Sequence, residues 1–492
     1  MLTDANDLLK IDLPNSRIVE LEVLPRGSRY ENEWFSASNL PMTCRLIVET
    51  SYGEGSLIRS AVWMPENWNG MLVGIGNGGF GGVLRADYAG YAKRGFAVAE
   101  TDMGTSLYLS GERTRADKQL FIDSGVRSTH AMTVIAKQLI AAYYGSPVTR
   151  AYFIGYSAGG KQALSAVQRF PEDYDGVIAG VPSNNALPLV TYFLWCYVHL
   201  TTRDGYPLIA TATASRLTDE AARFFETRGG AEKGSNYVSY SWHNENTVAD
   251  FIDHLRTAMP ELTEGQLAAL RAVYEGPVNP KNGKRIYTGM PIGSETACGY
   301  MRDADKPRRF DFEWFRLFFG EGFCPHDFDF ADDYEAMNTA VGVDFTFNDP
   351  DISRFTARGG RLLIFSGISD PYGPWAEAMH YYNGVCRALG GHERAKENVR
   401  VFFLPGKGHS IEGRGTNAWW ADEARTSLFD AMCAWCEGGK APESLVAAHL
   451  EKDAEGNRQI CFMKHILPYA GDKREGIDYP PVCHPDYAMP GN

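Results

Sequence analysis

The sequence predicts an α/β protein with a mostly parallel central sheet flanked by helices and interrupted by a large, mainly helical insertion. Short apolar runs typical of buried strands, at Met71–Ile75 and residues 96–100 and 151–154, occur in the first third of the chain. Between the last two runs, residues 130–144 carry apolar side chains at helical spacing. Because strands that alternate with helices form βαβ crossovers, the sheet is predicted to be parallel.

The insertion is recognised by a change of pattern over residues 187–344, which are rich in aromatic residues and Gly and contain short helical pieces. Strand-like runs resume at residues 361–365 and 401–404. The sequence therefore predicts a core of residues 1–186 and 345–492 with a lid domain at 187–344. The tail after residue 442 is expected to wrap the core irregularly.

The bulk composition is that of a globular protein, with 44% hydrophobic and 22% charged residues among 492. The formal net charge of -13 argues against nucleic-acid binding, because an acidic surface repels phosphate backbones. The N-terminal residues lack the features of a signal peptide, and no run of about 18 apolar residues predicts a membrane span. The nine cysteines are scattered without zinc-ligand spacing, and together these features predict a cytoplasmic setting.

A candidate nucleophile lies in the GxSxG motif of residues 155–159, whose central residue is Ser157. The motif follows the apolar run AYFI and precedes the amphipathic segment KQALSAVQRF, so strand, sharp turn and helix follow in order. This context is that of the nucleophile elbow of an α/β-hydrolase fold. The alternative, a phosphate-binding glycine turn, is disfavoured because the spacing matches neither GxGxxG nor a P-loop.

The candidate general base is His409, since an α/β-hydrolase orders its triad as Ser, acid and His along the chain. His409 follows the apolar run VFFL and a glycine-containing loop near the C-terminal end. Three rivals fit less well: His380 lies in a helical run, His392 follows no strand, and His465 lies in the expected irregular tail.

The candidate acid is Asp370, which closely follows the apolar run at residues 361–365. A carboxylate at this position could accept the imidazole N–H of the base and stabilise the imidazolium that forms during proton transfer. Asp349 and Asp351 precede the strand and are interpreted as caps of a turn.

Two backbone N–H groups are predicted to form an oxyanion hole. One belongs to Ala158, the residue after the nucleophile. The other is assigned to Gly79, with Gly78 as the second choice, in the loop GNGGFGG that follows the strand-like run Met71–Ile75. The alternative of a phosphate-binding loop is disfavoured because Lys and Ser or Thr are missing from it.

These segments together resemble the tannase/feruloyl esterase family. The resemblance is carried by GNGGFGG at 76–82, ETDMGT at 100–105, YFIGYSAGGKQALSAVQRFPEDYDGVIAGVPS at 152–183, LTEGQLAALRAVYEGP at 262–277, NDPDISRFTARGGRLLIFSGISDPYGP at 348–374 and LPGKGHSIEG at 404–413. It implies a serine carboxylic-ester hydrolase that acts on esters of aromatic acids, such as gallates or hydroxycinnamates. It also implies the same triad of Ser157, Asp370 and His409.

Two departures mark the chain as a divergent member of that family. The family usually joins a Cys before the nucleophile to a Cys after the His, whereas this chain has Tyr156 and Ser410 there. Other contacts must therefore hold the loop of His409. The family's lid commonly carries a calcium loop, and residues 203–262 lack a matching Asp-rich run, so no metal and no cofactor are expected.

An aromatic acyl group requires flat apolar walls, but each candidate for them is as readily explained as an ordinary core residue. The partner expected here is a small aromatic ester, with neither nucleic acid nor membrane. Two alternatives stay open: an esterase or acyltransferase that acts on a non-phenolic ester with the same triad, and a non-catalytic binding protein. The candidate wall residues are Phe193, Trp195, Tyr197, Trp242, Trp419 and Trp420.

Overall fold

The computed structural model confirms the predicted α/β class. It describes residues 4–31, 36–84, 89–115, 117–241, 245–303, 305–310, 313–410, 413–419, 428–453, 455–456 and 458–470. Two compact units are distinguished: Met1–Asn184, Glu313–Glu321 and Val343–Leu362 form the first, and Asn185–Phe312, Gly322–Gly342 and Leu363–Asn492 form the second. The division into a core at 1–186 and 345–492 and a lid at 187–344 stays a prediction.

The described residues form fourteen strands, most of which belong to one sheet. They are β1 (Ser16–Leu24), β2 (Tyr30–Glu31), β3 (Ser36–Ala37), β4 (Thr43–Thr50), β5 (Ile58–Pro65), β6 (Met71–Ile75), β7 (Ala97–Thr101), β8 (Arg150–Tyr156), β9 (Gly176–Gly180), β10 (Arg361–Gly367), β11 (Val399–Leu404), β12 (Ala418–Trp419), β13 (Leu445–Lys452) and β14 (Arg458–Ile466).

The central sheet has nine strands in the order β1-β4-β5-β7-β6-β8-β9-β10-β11. Strand β6 pairs in parallel with β7 and β8, and β8 pairs in parallel with β9. The pairs β1–β4, β4–β5 and β5–β7 are antiparallel, so the antiparallel part of the sheet lies at the edge that ends with β1. The parallel strands β7 and β9 are buried along their whole length, which explains why their sequences are apolar runs rather than alternating patterns.

Fifteen α-helices occur in the described residues. They are α1 (Ala89–Lys93), α2 (Ser106–Leu109), α3 (Lys118–Ile122), α4 (Ser128–Tyr144), α5 (Ala158–Arg169), α6 (Ala186–Leu200), α7 (Thr211–Glu226), α8 (Glu245–Ala258), α9 (Glu264–Glu275), α10 (Glu313–Phe319), α11 (Asp332–Phe345), α12 (Ser353–Ala357), α13 (Trp375–Ala388), α14 (His392–Ala395) and α15 (Leu428–Gly438). None of them combines the length and hydrophobicity needed to cross a membrane.

Helices α4 and α5 cover the parallel part of the sheet in the first unit, since α4 packs against β7 and α5 packs against β8 and β9. Helix α4 confirms the helix predicted over residues 130–144. The predicted insertion is mainly helical: α6 to α11 fall within or at its limits, and its described residues contain no strand.

The expected irregular tail is wrong for residues 445–466, which form the antiparallel hairpin β13–β14. The Gly456 N–H donates to the Asp453 carbonyl at 3.0 Å, which closes the turn between the two strands. Strand β12 pairs with β13 to complete a three-stranded sheet. The hairpin escaped prediction because β14 is a largely exposed edge strand whose apolar residues do not follow a buried face.

Candidate active site

Ser157 lies at the sharp turn between β8 and α5, where the sequence predicts a nucleophile elbow. Its backbone has φ 59° and ψ -117°, a conformation that is strained for a residue with a side chain. The Ser157 N–H donates to the Gly180 carbonyl at 2.9 Å, and its carbonyl accepts from the N–H groups of Lys161 and Ser183. These backbone bonds, all within the first unit, stabilise the strained turn.

Glycines around the turn are required because backbone segments meet there without room for a side chain. A Cβ on Gly155 would lie 2.0 Å from the Gly159 carbonyl oxygen. A Cβ on Gly76 would lie 2.5 Å from the Gly159 Cα, and one on Gly160 would lie 2.6 Å from the Gly180 carbonyl oxygen. Backbone crowding at these three positions therefore explains why they are glycines.

The predicted oxyanion loop is held in shape by Asn77, a residue whose part the sequence did not reveal. Its buried side chain donates through Nδ2 to the carbonyls of Val83 at 2.9 Å and Thr101 at 3.1 Å. Its backbone N–H donates to Gln162 Oε1 at 2.7 Å, which ties the loop to helix α5. The loop is therefore anchored on both sides by hydrogen bonds within the first unit.

Asn77 also distinguishes between the two candidate donors of this loop. Its Oδ1 accepts the N–H of Gly78 at 2.9 Å, so that amide is already engaged. The amide of Gly79 donates to no other group in the described part of the chain, and its φ of 57° suits glycine. Ala158 is the first residue of α5, and the amide of a first helical residue has no partner within its own helix. The geometry favours Gly79 and Ala158.

Asp370 and His409 form a hydrogen-bonded pair in the second unit. Asp370 Oδ2 lies 2.8 Å from His409 Nδ1, and the Asp370 side chain is fully buried. Asp370 Oδ1 accepts the backbone N–H groups of Tyr372 at 2.8 Å and Gly373 at 3.0 Å. The carboxylate is thus oriented by its own turn, and it places the proton of the neutral imidazole on Nδ1 and the lone pair on Nε2.

The loop that carries His409 is closed on itself by backbone hydrogen bonds. The Gly415 N–H donates to the Gly406 carbonyl at 3.1 Å, and the Thr416 N–H donates to the Pro405 carbonyl at 2.9 Å. Within the loop, Lys407 Nζ donates to the Ser410 carbonyl. The cysteines in the described ranges form no disulfide bonds.

Further contacts fix this loop to the rest of the second unit. The Ser369 N–H donates to the Lys407 carbonyl at 3.0 Å, directly beside Asp370. A Cβ on Gly367 would lie 2.3 Å from the same carbonyl oxygen, so strand β10 and the loop are in close contact. Arg414 donates to Ser215 Oγ at 2.7 Å and to Asp219. Non-covalent contacts therefore hold His409 next to Asp370.

Three of the rejected candidates, His392, Asp349 and Asp351, have other partners. His392 Nδ1 lies 2.9 Å from the Tyr382 hydroxyl, and His465 lies in strand β14. Asp349 and Asp351 each accept the N–H of the residue two positions later, as predicted for turn caps.

Among the predicted wall residues that the structure describes, Phe193 lies beside a ring that adjoins the Asp370–His409 pair. Its ring centroid lies 5.9 Å from that of Tyr372, and the Tyr372 ring lies 5.8 Å from the His409 ring. Tyr372 was not selected from the sequence, although it lies only two residues after Asp370. These aromatic rings form a surface next to the candidate base.

Three other wall candidates have contacts elsewhere among the described residues. Trp195 donates to the Ala272 carbonyl at 2.8 Å, and Tyr197 donates to the Arg308 carbonyl at 2.9 Å. Trp419 packs edge-on against the rings of Phe365 and Phe402. Trp242 and Trp420 lie outside the described residues.

Burial shifts the pKa of two groups close to predicted site residues. Lys161, one turn after Ser157, is buried with Nζ 4.5 Å from the centre of the Phe345 ring, and burial lowers its pKa to about 7. Burial raises the pKa of Tyr372, whose hydroxyl accepts the Gly299 N–H at 2.7 Å. Tyr372 is therefore an uncharged phenol at neutral pH, suited to contact an apolar group.

Comparison with known proteins gives one consistent result. The sequence model of tannase and feruloyl esterase matches residues 44–306 and 334–487. The chain is 25% identical to a probable feruloyl esterase B-2 of Aspergillus flavus, over 83% of this chain and 80% of that protein. It is 28% identical to an uncharacterized esterase of Xanthomonas campestris pv. campestris, over 94% of this chain and 88% of that protein. The crystal structure of an esterase from Aspergillus oryzae shares the fold, with a TM-score of 0.78, 24% identity and 94% of each chain covered.

Proposed function

Because the chain belongs to the tannase and feruloyl esterase family of carboxylic ester hydrolases, we propose that it hydrolyses esters of phenolic acids through an acyl-enzyme on Ser157. The observation that carries the proposal is the 2.8 Å hydrogen bond between Asp370 and His409. It gives the imidazole the tautomer of a general base, and the strained turn at Ser157 supplies the matching nucleophile.

The proposed reaction begins when His409 Nε2 takes the proton of Ser157 as Oγ attacks the ester carbonyl. The N–H groups of Gly79 and Ala158 bind the oxygen on which negative charge develops. Buried Asp370 stabilises the imidazolium, which then gives its proton to the leaving alcohol. His409 then takes a proton from a water molecule, which attacks the acyl-enzyme. The carboxylic acid is released and Ser157 is restored.

The phenolic acyl group is supported by the aromatic surface beside His409. The ring centroids of Phe193 and Tyr372 lie 5.9 Å apart in an edge-to-face arrangement, and the Tyr372 ring adjoins the imidazole in the same way. An aromatic ring packs on such a surface in offset or edge-to-face arrangements, whereas a short aliphatic acyl chain gains less contact.

The experiment is a comparison of methyl ferulate, methyl gallate and nitrophenyl acetate as substrates of the wild type and Ser157→Ala. We expect the highest kcat/KM with an aromatic acid ester, and a loss of at least about 10⁴-fold in kcat for Ser157→Ala. Ser353→Ala, an exposed serine at the start of α12, is the matched control and should retain full activity.

Turnover confined to the acetate would assign a non-phenolic ester and contradict the substrate class. Retained hydrolysis in Ser157→Ala would refute the nucleophile. A wild type that neither turns over these esters nor reacts with a fluorophosphonate would favour a non-catalytic protein.

A further inference from the structure

Three side chains able to bind a metal converge on the hairpin β13–β14, and none of them takes part in the proposed hydrolysis. His449 and Glu451 lie on β13, and Cys461 lies on β14. Their potential ligand atoms all lie within 4.8 Å of one another. Imidazole, carboxylate and thiolate are the ligand types that Zn²⁺ and related ions prefer.

The register of the hairpin explains how the three side chains meet. His449 and Glu451 are two residues apart on one strand, so they share a face. His449 pairs with Phe462 and Leu450 pairs with Ile460, which leaves Cys461 as the extra residue of a β-bulge. In an unbroken register, Cys461 would oppose Leu450 and point to the other face. The bulge therefore brings the thiol to His449 and Glu451.

The hydrogen bonds of His449 orient its ring as in a metal ligand. Nδ1 bonds to the Gly415 carbonyl, which can only accept, so Nδ1 carries the proton and the neutral ring has its lone pair on Nε2. That Nε2 lies 3.1 Å from Glu451 Oε1, so a lone pair faces a carboxylate. This arrangement is repulsive unless a proton or a cation lies between the two atoms. The ring is also stacked on Phe462, with centroids 5.1 Å apart.

We propose that His449 Nε2, the Glu451 carboxylate and the Cys461 thiolate bind one divalent transition-metal ion of the Zn²⁺ class. A water molecule completes a tetrahedral site, as in zinc sites that have three protein ligands and one open position. The Cys461 thiol releases its proton to solvent on binding. The two anionic ligands then balance the charge of the ion. The proposed site differs from the expectation, based on the sequence, that the protein binds no metal.

The site has a structural connection to the loop that carries His409. The same Gly415 whose carbonyl bonds to His449 also closes that loop through its N–H to Gly406. A metal bound at Nε2 strengthens the Nδ1–H bond to Gly415, because it withdraws electron density from the ring. Metal binding is therefore expected to stabilise the second unit and to raise the Tm.

The test is titration of the reduced, metal-free full-length protein with Co²⁺, which occupies zinc sites and reports thiolate ligation by intense near-ultraviolet absorption. We expect one equivalent to bind with that absorption, and Zn²⁺ to displace it. Cys461→Ser should abolish the thiolate absorption and weaken binding at least about tenfold. Cys461 is exposed, so this variant should fold, and its circular dichroism checks that it does.

The matched control is Cys436→Ser, a half-buried thiol on helix α15, which should leave Co²⁺ binding unchanged. Glu451→Gln, at an exposed position, should weaken binding without loss of the thiolate absorption. A wild type without saturable Co²⁺ binding would mean that His449 and Glu451 form only an ion pair, and would overturn the proposal. Thiolate absorption that persists in Cys461→Ser would overturn it as well.

Discussion

Replacing Asp370 with Asn tests whether the acid acts by setting the tautomer of His409. Asp370 Oδ1 accepts two backbone N–H groups, at 2.8 and 3.0 Å, and Oδ2 accepts the imidazole N–H. An Asn side chain has one oxygen and one NH₂ group. Its oxygen is held by the two backbone donors, so its NH₂ must face Nδ1. His409 then carries its proton on Nε2 and cannot act as the base.

The expected magnitude follows from this geometry. Shape and volume are conserved, and both backbone donors keep their acceptor, so the Tm should change little. The imidazole must adopt its other tautomer before it can accept the serine proton, and the developing imidazolium loses its carboxylate. A change of this kind lowers kcat by about 10⁴-fold, which corresponds to about 5.5 kcal/mol of transition-state stabilisation.

The assay is kcat for the best aromatic ester, measured with the Tm of the same preparation. Asp351→Asn is the matched control, because this exposed turn residue can cap equally well as Asn, and it should retain wild-type kcat. Activity of Asp370→Asn within tenfold of the wild type, at an unchanged Tm, would refute the tautomer argument and the role of Asp370.

Three further predictions concern the elbow and the loop beside it. Gly155→Ala places a Cβ 2.0 Å from the Gly159 carbonyl oxygen and should lower the unfolding free energy, measured in urea, by about 3 kcal/mol or more. The control Gly90→Ala, whose Cβ meets no atom within 4 Å, should not lower it. Equal stability of the two variants would contradict the steric account. Asn77→Ala removes the hydrogen-bond partners of the Gly78 N–H and of two carbonyls. We therefore expect kcat to fall at least about tenfold and the unfolding free energy to fall by about 2 kcal/mol. An unchanged kcat would argue against this loop as the oxyanion hole. Burial lowers the pKa of Lys161 from 10.5 to about 7. Above pH 7 the unfolded chain therefore binds a proton at Lys161 that the folded chain lacks. The unfolding free energy rises with pH by roughly 1.4 kcal/mol per pH unit until Lys161 of the unfolded chain loses its proton as well. Urea denaturation at pH 7 and 9 should show this rise in the wild type and a smaller one in Lys161→Met, and identical slopes would count against the shift.

How well the site residues could be predicted depends on how far apart they lie in the chain. The elbow at Ser157 depends on five consecutive residues between a strand and a helix, so its geometry could be derived locally. Asp370 and His409 were found because each follows a strand, and parallel strands place the residues after their carboxyl ends at one edge of a sheet. The substrate walls had no such rule, and Phe193 was indistinguishable from Trp195 by sequence.

The sequence by itself determined the α/β class, the elbow and the Asp370–His409 pairing, because strand periodicity and turn chemistry are encoded in neighbouring residues. Only the tertiary structure decided the features that join distant segments. It showed that Asn77 shapes the predicted oxyanion loop, that backbone bonds at Gly415 close the loop of His409, and that a bulge brings Cys461 to His449. The physical reason is that register and loop closure depend on which partner a backbone group meets, and that partner lies far along the chain.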